Sequence, residues 1–274
     1  MKHLSLNKKA IEFALLIFSA VNVAHAQKQP QIQEGSVRAP DNIKIDGKLS
    51  EWKNTPDLQA HNAADRIFYT VSNDDNNLYL TVRGQGNFVS EKILSDGLIF
   101  TISHSVSKKT REKDAGNVSI KFPLLADSTQ DKIVTPIFHT GEYTKDPIGN
   151  HNVIDSLVTK ANKRLTAALK EIQVTGIKEI TEPIISIFNT DGIKAWAQFN
   201  AETKYVYELA IPLKYLGLAI DNPVKFSYNI KLEVPPDPHP SLGISEDNPA
   251  DADPHDNYVN TTTDLWGEYI LVKK

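Results

Sequence analysis

The sequence has no cysteine, its only methionine is Met1, and it contains no apolar run long enough to cross a bilayer. Without cysteine there can be no disulfide, no thiolate to help hold zinc and no attachment point for an N-terminal lipid. With Met1 as the only methionine, haem held by a Met/His or Met/Lys pair is excluded. There is no G-x-S-x-G elbow, no glycine-rich phosphate loop and no dinucleotide fingerprint, so neither esterase chemistry nor a nucleotide cofactor has a motif to stand on. His61, His104, His139, His151, His239 and His255 never pair at i, i+4 around a glutamate, as a zinc hydrolase helix requires. A surplus of basic charge is also missing. The formal net charge is −4, which gives nucleic acid no electrostatic footprint.

The first 26 residues read as an export signal. Lys2, Lys8 and Lys9 form a positive start, Phe13 to Val21 a short apolar core, and Ala24-His25-Ala26 a small-residue cleavage site. Removing them takes away three lysines and one glutamate and carries the formal charge to −6. The expected product is exported, periplasmic or secreted, without a lipid anchor and not membrane-spanning. The remaining chain, about 250 residues, is long enough for one large domain stabilised by its core alone. We divide it into a lead-in, 27–42, and a domain, 43–274, in which 103–200 is an irregular and helical insertion.

Period-2 alternation marks half-buried strands. Leu78, Leu80 and Val82 alternate with Tyr79, Thr81 and Arg83, and Val118, Ile120 and Phe122 with Ser119 and Lys121. Between Lys225 and Glu233, Phe226, Tyr228, Ile230 and Leu232 alternate with Lys225, Ser227, Asn229, Lys231 and Glu233. "SNDDNN" (72–77) and "NTDG" (189–192) read as hairpin turns. A short strand Ile43–Ile45 before the turn Asp46-Gly47 leads to Trp52, expected as a buried lid on one end of the core. One stretch has a helical period instead: Leu157, Ala161, Leu165, Ala168, Leu169 and Ile172, with Asp155 as cap. Its Lys160, Lys163, Arg164 and Lys170 read as a solvated face. The fold class is all-β, an antiparallel β-sandwich (jelly-roll/immunoglobulin-like) with one inserted α-helix.

Residues 235–258 hold six prolines and six carboxylates without a lysine or arginine. Crowded carboxylates stay solvated or bind a hard cation, and calcium on Asp251, Asp253 and Asp256 is the natural candidate. "DADPHD" (251–256) is not an EF-hand loop, because His255 takes a ligand position and the glycine is absent. Sugars stack on aromatic faces and bond to carboxylates and amides. Phe88, Asp96, Asp256, Asn257 and Tyr258 supply those groups if their loops converge at one end of the sandwich.

"IKIDGKLSEW" (43–52), "YTVSNDDNNLYLTV" (69–82), "SDGLIFTI" (95–102), "YVYELAIPLKYLGL" (205–218) and "WGEYILVK" (266–273), in this order, resemble the family 9 carbohydrate-binding modules. The resemblance implies an antiparallel sandwich, often with calcium, and an aromatic clamp around a terminal sugar. In the sugar-binding members a clamp tryptophan precedes a D-S-V-E strand whose glutamate bonds the sugar. Here Asp96 matches the aspartate, Ile99 stands at the glutamate's place and no tryptophan precedes. Trp266 matches the family's structural aromatic, which leaves Tyr258 and Phe88 to replace the clamp. The expectation is a non-catalytic protein that binds a carbohydrate or glycan end. The alternative is a cell-envelope structural or interaction protein, with an envelope protein as partner and sugar affinity lost. A glycan-active hydrolase leaves no sequence signature and stays open as a third reading.

Overall fold

In the computed structural model, residues 29–52, 58–138, 150–234, 258 and 260–274 are described. The alternating stretches become strands that pair into two sheets. The first sheet takes β1 (Val37–Arg38), β2 (Ala60–Asn62), β3 (Ile67–Asn73), β4 (Asn77–Gly84), β9 (Lys194–Phe199) and β10 (Tyr205–Pro212), in the order β1-β3-β4-β10-β9 with β2 also on β3. Only β1 runs parallel to its neighbour. The second sheet takes β5 (Leu98–Ser103), β6 (Val118–Phe122), β7 (Glu171–Thr175), β8 (Ile184–Ser186), β11 (Lys225–Leu232) and β12 (Thr263–Ile270), antiparallel throughout, in the order β12-β11-β5-β6-β7-β8. This is the all-β sandwich that the alternation predicts.

Each strand buries its apolar face between the sheets. Tyr69, Leu80 and Tyr207 of the first sheet and Phe100, Ile120 and Tyr228 of the second are all fully buried. A buried tyrosine hydroxyl usually finds a partner; that of Tyr207 has none among the described residues. Tyr69 and Tyr228 provide one for each other across the core at 3.1 Å, and the Gln33 backbone N–H donates to the Tyr69 hydroxyl at 3.0 Å. Gly267 has no side chain because the Tyr228 ring lies where one would go: a Cβ would come within 2.3 Å of its hydroxyl oxygen.

Among the described residues three α-helices accompany the sheets, α1 (Phe88–Asp96), α2 (Asp127–Phe138) and α3 (His151–Ala168). The helical period is borne out in part: α3 buries Ala161 and Leu165 of the expected stripe together with Ile154 and Val158, but it ends at Ala168, and Ile172 belongs to β7. The N-cap of α3 is Asn150, five residues before the expected Asp155, which instead pairs with His151 at 3.4 Å. Asn162 of α3 bonds both the N–H and the carbonyl of Phe199, each at 2.8 Å, so the helix covers the edge strand β9. Lys160, Lys163 and Arg164 lie on its exposed side, whereas Lys170 falls beyond its end, in the link to β7. The short α1 and α2 carry too few periodic positions to stand out in sequence. The stretch 103–200 is more than an insertion, since β6, β7, β8 and β9 all belong to the sheets.

Two local expectations need correction. "NTDG" does not close a hairpin: β8 pairs with β7 in the second sheet and β9 with β10 in the first, so the turn carries the chain from one sheet to the other. Ile43–Ile45 forms no strand either. Ile43 and Ile45 lie across the outside of the first sheet against Ala39, Tyr79 and Ala210. The turn that follows needs glycine: Gly47 has φ +77° and a Cβ there would stand 2.8 Å from the Gln198 side chain. Glu208, from the outer face of β10, accepts the Asp46 and Gly47 N–H groups at 2.9 and 2.8 Å. Trp52 is 5 % exposed, as a structural aromatic should be.

Candidate functional site

Of the residues proposed from sequence, Asp251, Asp253, Asp256 and Asn257 lie outside the described residues, and the calcium expectation lies there with them. Among the described residues no group of three or more His, Asp or Glu is arranged to hold a metal ion. Phe88, Asp96 and Tyr258 are described, and they fall in two places.

Phe88 and Tyr258 come together at one end of the sandwich, around Arg66. That residue sits in the β2–β3 turn with φ +53°, a conformation uncommon for a residue with a Cβ. Its guanidinium lies 4.3 Å from the Tyr258 ring centre and 5.9 Å from that of Phe88, and the Lys92 ammonium of α1 is 4.6 Å from the Tyr258 ring. The Tyr258 hydroxyl donates to the Asp65 carbonyl at 2.7 Å, and the residue is buried. A ring with two cations against it has little π surface left for a pyranose. These aromatics therefore form a packed junction where the sequence suggested an open clamp.

The junction carries two displaced titrations. Asp65 is buried, and desolvation pushes its carboxyl up to about 6, only partly offset by the Thr263 hydroxyl and the Lys92 charge. Burial likewise lowers Lys92 to about 8, while its ammonium donates to the Thr261 carbonyl and to Thr263 Oγ1. The hairpin, α1 and the start of β12 are held together there by buried polar groups.

Asp96, at the end of α1, instead reaches the outer face of the second sheet, where it pairs with Lys121 at 2.8 Å. That face follows from strand register. Trp266, Asn229, Thr101, Ser119 and Thr175 are successive cross-strand neighbours and form one rung across five strands. Asp264, Lys231, Ile99, Lys121 and Gln173 form the next. Because side chains alternate along a strand, both rungs point away from the core. Thr101 and Ser119 bond to each other at 2.8 Å, and Asn229 donates to Asp264 and to the Leu265 carbonyl.

The 104–117 segment folds over this face. Ser103 donates to Asp114 at 3.3 Å, and the Gly116 N–H, more than that hydroxyl, holds Asp114 below the usual carboxylate range. Two clefts result, with Trp266 in the wall of both. One, about 490 Å³, lies over the sheet among Thr101, Ser119, Thr175, Asn229, Asn117 and Asp264. The other, about 630 Å³, opens at the β12 edge beside Arg111, Lys108, Gln33 and Ser36. Both fall in the ~300–1,000 Å³ range of small-ligand sites. Trp266 Nε1–H, Arg111 Nε–H and Asn117 Oδ1 are buried at these clefts and have no hydrogen-bond partner among the described residues. Among the described residues nine other buried side-chain atoms, the Tyr205 and Tyr207 hydroxyls among them, also have no partner, and these three stand out only by lying around one feature.

Most of these residues were not singled out from sequence. The polar half of 225–233 was visible as alternation, but an outward polar row has the same pattern whether water or a ligand covers it. Arg111 had no signal at all, since only the fold brings its loop to Trp266. The fold and this face define a two-sheet β-sandwich with a polar, cleft-bearing outer sheet. No protein-family model matches the chain, and a search of curated proteins finds none similar to it.

Proposed function

We propose that the protein is an exported, non-catalytic carbohydrate-binding protein, and that the outer face of its second sheet receives the sugar. The observation that carries this reading is the polar rung beside a half-buried tryptophan, with unused donors and an unused acceptor at the two clefts. Hydroxyl-rich ligands need dense, mixed donors and acceptors next to an apolar surface; Asn, Thr, Ser and Asp supply the first, and the part of the Trp266 ring that Arg111 leaves uncovered supplies the second. The resemblance to family 9 modules supports the same face: in "SDGLIF", Ile99 belongs to the second rung and Asp96 reaches its margin through Lys121. Ile99 cannot bond a hydroxyl as a glutamate would, so the neighbouring Lys231 and Asp264 take over that part.

The test is a glycan-array and calorimetric screen of the purified protein, with calcium and then with a chelator, repeated on Trp266→Ala. We expect the variant to lose at least about tenfold in affinity. Unchanged binding would remove the face from the mechanism. Loss of binding in chelator would tie it to a calcium-ordered acidic loop. A second reading, an envelope interaction protein without sugar affinity, draws on the cations that cover Tyr258. Silence across the whole array would favour it.

A further inference from the structure

The two clefts beside Trp266 differ in charge. The edge cleft is lined by Lys108, Arg111 and Lys225 against Glu34 and Glu268. Lys225 and Glu268 neutralise each other at 3.2 Å, which leaves two cations facing one carboxylate. The cleft over the sheet has the opposite balance, with Glu112, Asp114 and Asp264 against Lys113 and Lys231.

Arg111 is the centre of the positive side. Its backbone is fixed from two directions: its N–H donates to the Ser107 carbonyl at 3.0 Å, and its carbonyl accepts the Asn117 side-chain N–H at 2.8 Å. Its guanidinium lies 4.3 Å from the Trp266 ring centre. Stacking satisfies the face of the guanidinium and leaves its edge, where the donors are, for another group. Nε–H is buried without a partner, and the side chain forms no ion pair among the described residues, although Glu112 and Asp114 are close in sequence. A half-buried cation with unused planar donors costs stability, and a planar anion that meets the fork offsets that cost.

Resting on the sugar reading of this face, we propose that the edge cleft binds the carboxylate of a uronic acid, with Arg111 as its anchor and Lys108 in support. A carboxylate suits the site because it is flat, meets the planar guanidinium fork with both oxygens and needs only one surplus positive charge, whereas a phosphate monoester brings nearly two negative charges. The negative cleft over the sheet repels a second carboxylate and accepts hydroxyl donors. The ligand class is therefore a mixed glycan, one uronate at the β12 edge followed by neutral sugar over the Trp266–Thr175 rung, and not a polyuronate.

Calorimetry on disaccharides of one glucuronate or galacturonate joined to a neutral hexose or pentose, each beside its carboxyl methyl ester, tests this. At least one acid should bind about tenfold more tightly than its ester, the increment of one charge-assisted hydrogen-bonded pair. Arg111→Gln should abolish the difference between acid and ester, while Arg111→Lys, which keeps the charge but not the fork, should restore less than half of it in logarithmic terms. Equal binding of acid and ester by the parent protein overturns the uronate proposal and leaves the sugar reading standing. No binding of either form, together with silence on the array, overturns both. Tighter binding of a sulfated disaccharide, or of oligogalacturonate, rejects the single-carboxylate class, and full rescue by lysine rejects the fork.

Discussion

The two outer faces of the sandwich have met the same problem in opposite ways. On the first sheet the outer face is sealed: the 39–52 segment lies across it, Ile43 and Ile45 pack on Tyr79 and Ala210, and Glu208 ties down the turn at Gly47. On the second sheet the outer face stays polar and is roofed only in part, by the 104–117 segment. Both start from alternating strands with an equally apolar inner side. What differs is whether the outward row can bury itself. Ala210 and Tyr79 offer apolar contact to a covering strap, whereas Thr101, Ser119, Asn229 and Thr175 offer hydrogen bonds that water or a ligand must complete.

The contrast can be challenged directly. Glu208→Ala should have the largest effect, about 3 kcal/mol lost in urea unfolding, because the buried Gly47 N–H and the part-buried Asp46 N–H lose their acceptor and a cavity opens under the strap. A loss below ~0.5 kcal/mol would show the seal to be ornamental.

A smaller effect follows from titration. Burial pushes Glu208 up to about 8, against the two hydrogen bonds that favour its ionised form. A carboxyl raised in the folded state contributes stability that is full below its unfolded value near 4.5 and is lost as pH rises through about 8. Relative to the parent, Glu208→Gln should therefore gain on the order of 2 kcal/mol between pH 5 and pH 8, since the amide keeps an acceptor and cannot ionise. Parallel stability curves for the two proteins would contradict the assignment.

The smallest change is expected on the open face. Thr101→Ala and Ser119→Ala should each cost only about 0.5 kcal/mol in the same unfolding experiment while weakening a bound sugar. A cost comparable to that of Glu208→Ala would mean that this face, too, serves mainly the fold.

The alternating strands of β4, β6 and β11 were legible in sequence because a period of two needs no tertiary information, and so was the period of 3.6 in α3. The assignment of strands to sheets was not. "NTDG" has hairpin composition, yet β8 and β9 separate because each finds a longer partner elsewhere, β8 on β7 and β9 on β10. At the site, Asp96 was found through a motif and does reach the polar face. Phe88 and Tyr258 were chosen as the aromatics left to replace the clamp, and composition gave no warning that Arg66, about 190 residues before Tyr258 in the chain, would lie against both rings.

Taken alone, the sequence determined that the chain is rich in half-buried strands, lacks sulfur chemistry and must have glycine at its first turn, since each of these follows from local residue type and spacing. Tertiary structure decided which outer face is closed and which is open, and it set Arg111 against Trp266. Those outcomes depend on pairing between strands distant in sequence, where register across five strands, and not the pattern along any one of them, determines which side chains become neighbours.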